Sequence, residues 1–265
     1  MNRSSSVEPS AEVHAFADCL PLNESRAAWS YAWLSGTHTI EAAYWSGHPA
    51  PELHAHFHDE MQLTLVISGA RSFDVEGRRL TATEGQLIVI PSGIPHRSAP
   101  VPVSFQDVEC RCLNVYLPPT ARQPRSAIAL RVPDALDASG RVHLDRLIDT
   151  LERAIHRVAR RAPHLHSHQV ALTSALLPCG NVADIAQRQG MTREAFSRSF
   201  ARVMGLPPHE FRLLSRLNEA RRLLRGQEPI AEVAAVSGFA DQSHLGRLFR
   251  RTFGTTPANY RKQMS

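Results

Sequence analysis

His54, His56, His58, Glu60 and Gln62 alternate along the chain, so on a regular strand all five side chains point to one face. Imidazoles at that spacing can ligate a metal through neutral ring nitrogens or hydrogen-bond an organic molecule. A later histidine, His96, follows a segment marked by Gly85, Pro91 and Gly93. The other chemistry-bearing residues are arginines at matching places in an internal repeat. The first copy carries Val182-Ala183-x-Ile185-Ala186, Gly190-Met191, Phe196-x-Arg198-x-Phe200, Gly205, Pro208 and Phe211. The second carries Ile230-Ala231-x-Val233-Ala234, Gly238-Phe239, Leu245-x-Arg247-x-Phe249, Gly254, Pro257 and Tyr260. The register is constant through the glycine, and the second copy has one extra residue in the turn that follows.

Each copy reads as helix–turn–helix. The alanines of the first helix permit close approach, and Gly190 and Gly238 supply the positive φ of a tight turn. Thr192 and Asp241 are the expected N-caps of the second helices. Phe196 and Phe200, like Leu245 and Phe249, stand four apart and form the buried face. At about 100° per residue, Arg198 then lies outward with Glu194 and Ala201, and Arg247 outward with Ser243 and Arg250. An outward arginine on such a helix can bind guanine O6 and N7 bidentately. Between the copies, Phe211, Leu214, Leu217, Ala220 and Leu224 stripe one connecting helix that ends near Gly226, before Pro229.

Ile230–Arg261 closely resembles the second helix-turn-helix of AraC/XylS-type regulators, and the first copy with its LNEARRLL helix resembles the rest of that module. The resemblance implies base contacts from Glu194, Ser197 and Arg198, then Gln242, Ser243, His244 and Arg247; the outward face adds Arg250. Two features depart from the pattern: LLPCGN lacks the usual acidic spacing, and Glu194 brings a carboxylate to a groove-facing position. In the N-terminal half, His56-x-His58-x3-Gln62-x6-Gly69 and Gly85-x5-Pro91-x-Gly93-x2-His96 resemble the two cupin motifs of a small β-barrel. In cupin enzymes two histidines, a glutamate and a later histidine hold a metal. Here His56, His58 and His96 match, Gln62 replaces the glutamate, and Pro100 stands where the second motif ends in asparagine. A neutral amide is a poorer ligand for a divalent cation than a carboxylate. The expected effector pocket is His56, His58, Gln62 and His96. Its alternative is a divalent transition metal on His56, His58 and His96, giving a metal-sensing regulator or a metal-dependent cupin enzyme with an accessory DNA-binding module.

These residues need a scaffold of two kinds. Gln62–Ile67, Arg71–Val75, Gln86–Ile90 and Cys110–Leu117 read as short strands between turns, the pattern of an antiparallel barrel. Pro118–Arg125 reads as a linker, with one more extended stretch after it. Leu144, Leu147, Ile148, Leu151, Ile155 and Val158 then stripe a helix that packs on its own barrel or on a second copy. Residues 178–265 hold 14 Lys and Arg against 7 Asp and Glu, while the rest holds 16 against 18, the asymmetry of a nucleic-acid module joined to a neutral body. Cys110 and Cys112 share a strand face, and with Cys19 and Cys179 they read as reduced thiols. No apolar run approaches the roughly 20 residues that span a bilayer, and MNRSSSVEPSAEV has no secretory apolar stretch.

The expected fold is α+β in two domains. A cupin-like β-barrel occupies 1–118 with a frayed start, a linker and dimerisation helix 119–165, and an all-α unit with two helix-turn-helix motifs 166–265. The expected function is a one-component, sequence-specific transcription regulator, not an enzyme, controlled by a small molecule in the barrel. Its expected partners are double-stranded operator or promoter DNA, the effector, a second copy as homodimer and RNA polymerase, with no membrane, in the cytoplasm.

Overall fold

The computed structural model describes residues 28–34, 40–118, 123–132 and 181–265, with the single positions Arg146 and Arg153. The Leu144–Val158 stripe, Cys19 and Cys179 lie outside the described residues. The N-terminal half is built from β1 (Ala28–Leu34), β2 (Ile40–Gly47), β3 (Met61–Ser68), β4 (Ala70–Val75), β5 (Arg78–Thr83), β6 (Gln86–Ile90), β7 (His96–Ala99), β8 (Cys110–Leu117) and β9 (Ile128–Arg131). They form a six-stranded sheet in the order β1-β2-β8-β3-β6-β9 and a three-stranded sheet β5-β4-β7, antiparallel throughout. This is the cupin-like β architecture expected. The sheet does not stop at Leu117: β9, from the stretch beyond the expected boundary at 118, pairs with β6, and Val132 N–H donates to Gly85 O.

The two faces of β3 and β8 do different jobs. Leu63, Leu65, Leu113 and Val115 bury one face among Leu87 and Val89. The opposite face carries Gln62, Thr64, Asn114 and Tyr116, buried polar groups turned to the barrel interior. The apolar–polar alternation of Met61 to Leu65 therefore separates two buried faces, one apolar and one polar, and not a buried face from a wet one.

The alternation from His54 to Gln62 does not produce one continuous face. β3 begins only at Met61, and the preceding segment pairs at a single bridge, His56 with His96. His56, His58 and Gln62 are buried, His54 is exposed, and Glu60 turns outward to arginines of the helical half. The five-residue face therefore splits where the chain leaves the extended conformation.

The C-terminal helices are α1 (Val182–Arg188), α2 (Arg193–Met204), α3 (Pro208–Leu224), α4 (Ile230–Val236), α5 (Gln242–Phe253) and α6 (Pro257–Met264). Both turns use the expected glycines, with φ of 65° at Gly190 and 77° at Gly238. Thr192 Oγ1 accepts from Ala195 N–H and Asp241 from His244 N–H, so both second helices are capped alike. Arg216 of α3 also reaches across to donate to Gly238 O at 3.3 Å, bracing the second turn. Phe196, Phe200, Leu245 and Phe249 are buried with Phe211, Leu214, Leu217 and Leu224 of α3. One apolar cluster holds both units in fixed relation. No helix among the described residues is long and apolar enough to cross a membrane.

Candidate functional site

The candidate DNA-reading face is the outer side of α2 and α5. Glu194, Arg198, Gln242, Ser243, Arg247 and Arg250 are exposed, while Ser197 and His244 are half-buried at the edge. His244 packs edge-on against Phe239 at 5.7 Å, which fixes its ring beside the second turn. Arg198 and Arg247 hold no ion pair among the described residues, so each guanidinium keeps its donors for another molecule. The two occupy the same helical position relative to equivalent caps and buried anchors. This is the geometry the repeat predicts.

The barrel brings His56, His58 and His96 together, with ligating nitrogens within 4.8 Å of one another. His56 Nδ1–H donates to His54 O at 2.7 Å, and His96 Nδ1–H to Ile94 O at 2.9 Å. His58 Nδ1 instead accepts from Arg221 Nη1 at 3.0 Å. Gln62 lies 3.2 Å from His96 Nε2 and continues through Thr64 and Asn114 to the Tyr116 hydroxyl. Burial, reinforced by the Arg221 and Arg71 charges, lowers the His56 pKa to about 4. Burial likewise pushes His58 and His96 well below the ordinary range, with neighbouring cations acting in the same direction. All three rings are neutral at physiological pH.

Spacing alone would admit a metal, but the charges around the triad oppose one. Gln62 offers no negative charge where a carboxylate would, and Arg71 and Arg221 place two guanidiniums beside the rings. Glu60 cannot compensate, because its carboxylate is engaged by Arg225 at 2.6 Å and Arg221 at 3.5 Å. A divalent cation would enter a site already positive and of low dielectric. The donor set does not fit it.

The sequence reading missed the junction between the halves. Glu41 is 2% exposed; it accepts from Arg221 Nη2 at 2.5 Å, from Arg225 and from the Tyr260 hydroxyl at 2.8 Å. Arg221 is equally buried and stacks over Tyr116 at 4.3 Å. Around this charge cluster, Phe57 stacks on Phe211 at 4.7 Å, Asn218 Nδ2 donates to Phe57 O, and the Tyr31 hydroxyl donates to Phe253 O at 2.7 Å. A cavity of about 280 Å³ remains beside the cluster, lined among others by Trp33, Asp59 and Arg222. The signal was present: Arg221 interrupts the apolar stripe of α3 between Leu217 and Leu224, and a charge on a buried stripe demands a buried partner.

The C-caps of α2 and α5 give a local measure of this docking. Gly205 and Gly254 both adopt left-handed backbone, φ 73° and 75°. A Cβ on Gly205 would meet open space, whereas one on Gly254 would lie 2.5 Å from Trp29 Cδ1. Gly205→Ala is expected to cost the left-handed penalty alone, about 1–2 kcal/mol. Gly254→Ala should cost visibly more, because Trp29 is buried and must move. Urea unfolding of both variants checks this; equal losses would mean that α5 does not dock on β1.

Comparison with known proteins agrees with this architecture. The model of the AraC-like ligand binding domain matches residues 38–177, and that of a helix-turn-helix domain matches residues 185–263. The transcriptional activator NphR of a Rhodococcus species is 39% identical over 83 residues, covering 31% of this chain and 24% of NphR. An AraC-like transcription regulator of Streptomyces antibioticus is 25% identical over 200 residues, covering 75% of this chain and 63% of that protein. The chain thus spans less than two thirds of the length of either relative. The crystal structure of ToxT from Vibrio cholerae O395 shares the fold with a TM-score of 0.53 at 11% identity, covering 85% of this chain and 98% of ToxT. With the ligand-domain match extending over more than half its residues and a helix-turn-helix match behind it, the chain belongs to the AraC-type family of regulators.

Proposed function

We propose that this protein is a one-component transcription regulator, sequence-specific for double-stranded operator DNA and controlled by a small molecule in the barrel. The observation that carries the reading is the equivalence of α2 and α5. Two capped helices expose Arg198 and Arg247 at the same position, braced on one connecting helix, as paired major-groove readers require. Glu194, Ser197, Gln242, Ser243, His244 and Arg250 complete the reading face. The effector pocket comprises His56, His58, Gln62 and His96, works without a metal, and turns over no substrate. The DNA-reading unit is assigned to 166–265 and the sensing unit to the barrel, now extended through β9. A homodimer through the Leu144–Val158 stripe, contact with RNA polymerase and a cytoplasmic location complete the proposal on sequence grounds.

Arg247→Ala is the direct test, since the side chain is exposed and its loss leaves the core intact. Affinity for a selected operator should fall by about 1–3 kcal/mol, with relaxed preference at one or two base pairs. Affinity for scrambled duplex should change much less, because it follows total phosphate neutralisation. Titrations on both duplexes at two salt concentrations decide it. Equal weakening on both would assign Arg247 to phosphate, not to sequence.

A further inference from the structure

Arg71 is 1% exposed and has no carboxylate partner among the described residues. Its Nη1 donates to Pro51 O at 2.6 Å and its Nη2 to Ser98 Oγ at 3.3 Å, both neutral acceptors. Among the described residues its Nε has no partner, and neither does Trp29 Nε1, which is also buried. Both residues line the same small pocket as His56, His58 and Gln62. Buried polar groups are normally satisfied, and a buried cation without an anion is among the costlier arrangements in a protein. Both unpartnered atoms are donors. The missing group therefore accepts hydrogen bonds, and a guanidinium that has the Phe73 ring at 4.8 Å but no anion among the described residues favours one that carries negative charge.

The rest of the pocket describes the body attached to that group. Tyr31, Phe73, Tyr116 and Phe253 supply aromatic walls. The cavity is only about 10 Å³ here, room for roughly one water, so any larger occupant must displace a wall. Most of the wall belongs to the barrel, whose strands are tied into sheets. Thr252 and Phe253 are different, because they come from the last turn of α5, the second candidate DNA-reading helix. That turn is attached through the Tyr31 hydroxyl at Phe253 O and the packing of Gly254 against Trp29.

We propose that the barrel pocket binds a small organic carboxylate, with its oxygens on Arg71 and its apolar body in the space Phe253 occupies. Filling the pocket then displaces the end of α5. Effector and DNA-reading unit compete for the same volume, and this competition converts occupancy into a changed placement of the second helix-turn-helix. The proposal rests on reading the barrel as the sensing unit.

The test uses the full chain and two pairs of equal shape, benzoate with benzamide and butyrate with butyramide, titrated by calorimetry. At least one carboxylate should bind about tenfold or more tightly than its amide, the increment of a charge-assisted contact. Arg71→Gln should abolish that preference, and Arg71→Lys, which keeps the charge, should retain part of it. If Arg71→Gln fails to fold by circular dichroism, the wild-type comparison and the lysine variant still decide. Phe253→Ala should tighten carboxylate binding about tenfold, since the occupant no longer has to displace a ring. Equal binding of acid and amide, an unchanged preference in folded Arg71→Gln, or no binding at millimolar carboxylate each overturns the carboxylate site. Unchanged or weaker binding by Phe253→Ala overturns the displacement. Operator binding by the unliganded chain is measured alongside: its presence leaves the regulator reading standing whatever the pocket does, and its absence removes that reading first.

Discussion

Glu41→Ala is expected to lower the stability of the docked molecule by about 3–5 kcal/mol, the cost of stripping one partner from a buried ion pair. Glu41 and Arg221 are each 2% exposed, and Glu41 also holds Arg225 and the Tyr260 hydroxyl. Without it, Arg221 keeps only Glu60, at 3.5 Å, as an acidic partner among the described residues. The loss falls on the junction, because both halves have strands or helices that pack independently of this cluster. Calorimetry should therefore show one cooperative transition in the native chain and two in the variant, one for each half. Arg221→Met added to Glu41→Ala should recover part of the loss, since an apolar side chain of similar length leaves no charge unpaired. A variant that melts as the native chain does would show that the cluster contributes no docking energy.

The helical half was legible because its determinants are local. Glycines at the turns, capping side chains and a four-residue apolar spacing lie within a few positions of one another, and each has one physical solution. The outward placement of Arg198 and Arg247 follows from that spacing alone. The barrel was legible by halves. β3, β4, β6 and β8 carry β-rich runs bounded by turns, whereas β1 contains three aromatics, Trp29, Tyr31 and Trp33, whose partners lie in the helical half. Trp29 meets Gly254, Tyr31 meets Phe253 and Tyr260, and the Trp33 indole donates to Met264 O. No local pattern encodes such long-range partners. The histidine cluster was found because the motif spacing spans two segments that bridge at His56 and His96. Arg71 alternates with Phe73 and Val75 on an inward face, and a charge at that position is the one local sign of the pocket's cation.

The His56 pKa in the folded chain is about 4, below the ordinary 6.5, chiefly because burial disfavours its charged form. Above pH 6.5 the ring is neutral folded or unfolded and stability is unaffected. As pH falls below 6.5, the unfolded chain takes up the proton first, and stability is lost until the folded-state pKa is reached. At about pH 5 this one histidine costs about 2 kcal/mol, and His58 and His96, shifted in the same direction, add to it. Glu60 enters lower down. Burial would raise its pKa, but Arg221 and Arg225 outweigh that and hold it below the usual 4.5, so its contribution is lost as pH falls through the carboxylate range. Urea midpoints should therefore fall steeply between about pH 6.5 and 5, before the carboxylates titrate. A chelator should leave the midpoint at neutral pH unchanged, because neutral rings beside Arg71 and Arg221 hold themselves apart from solvent without an ion. A flat profile between those pH values would mean that the histidines are hydrated, and a chelator-sensitive midpoint would mean that the pocket holds a metal after all.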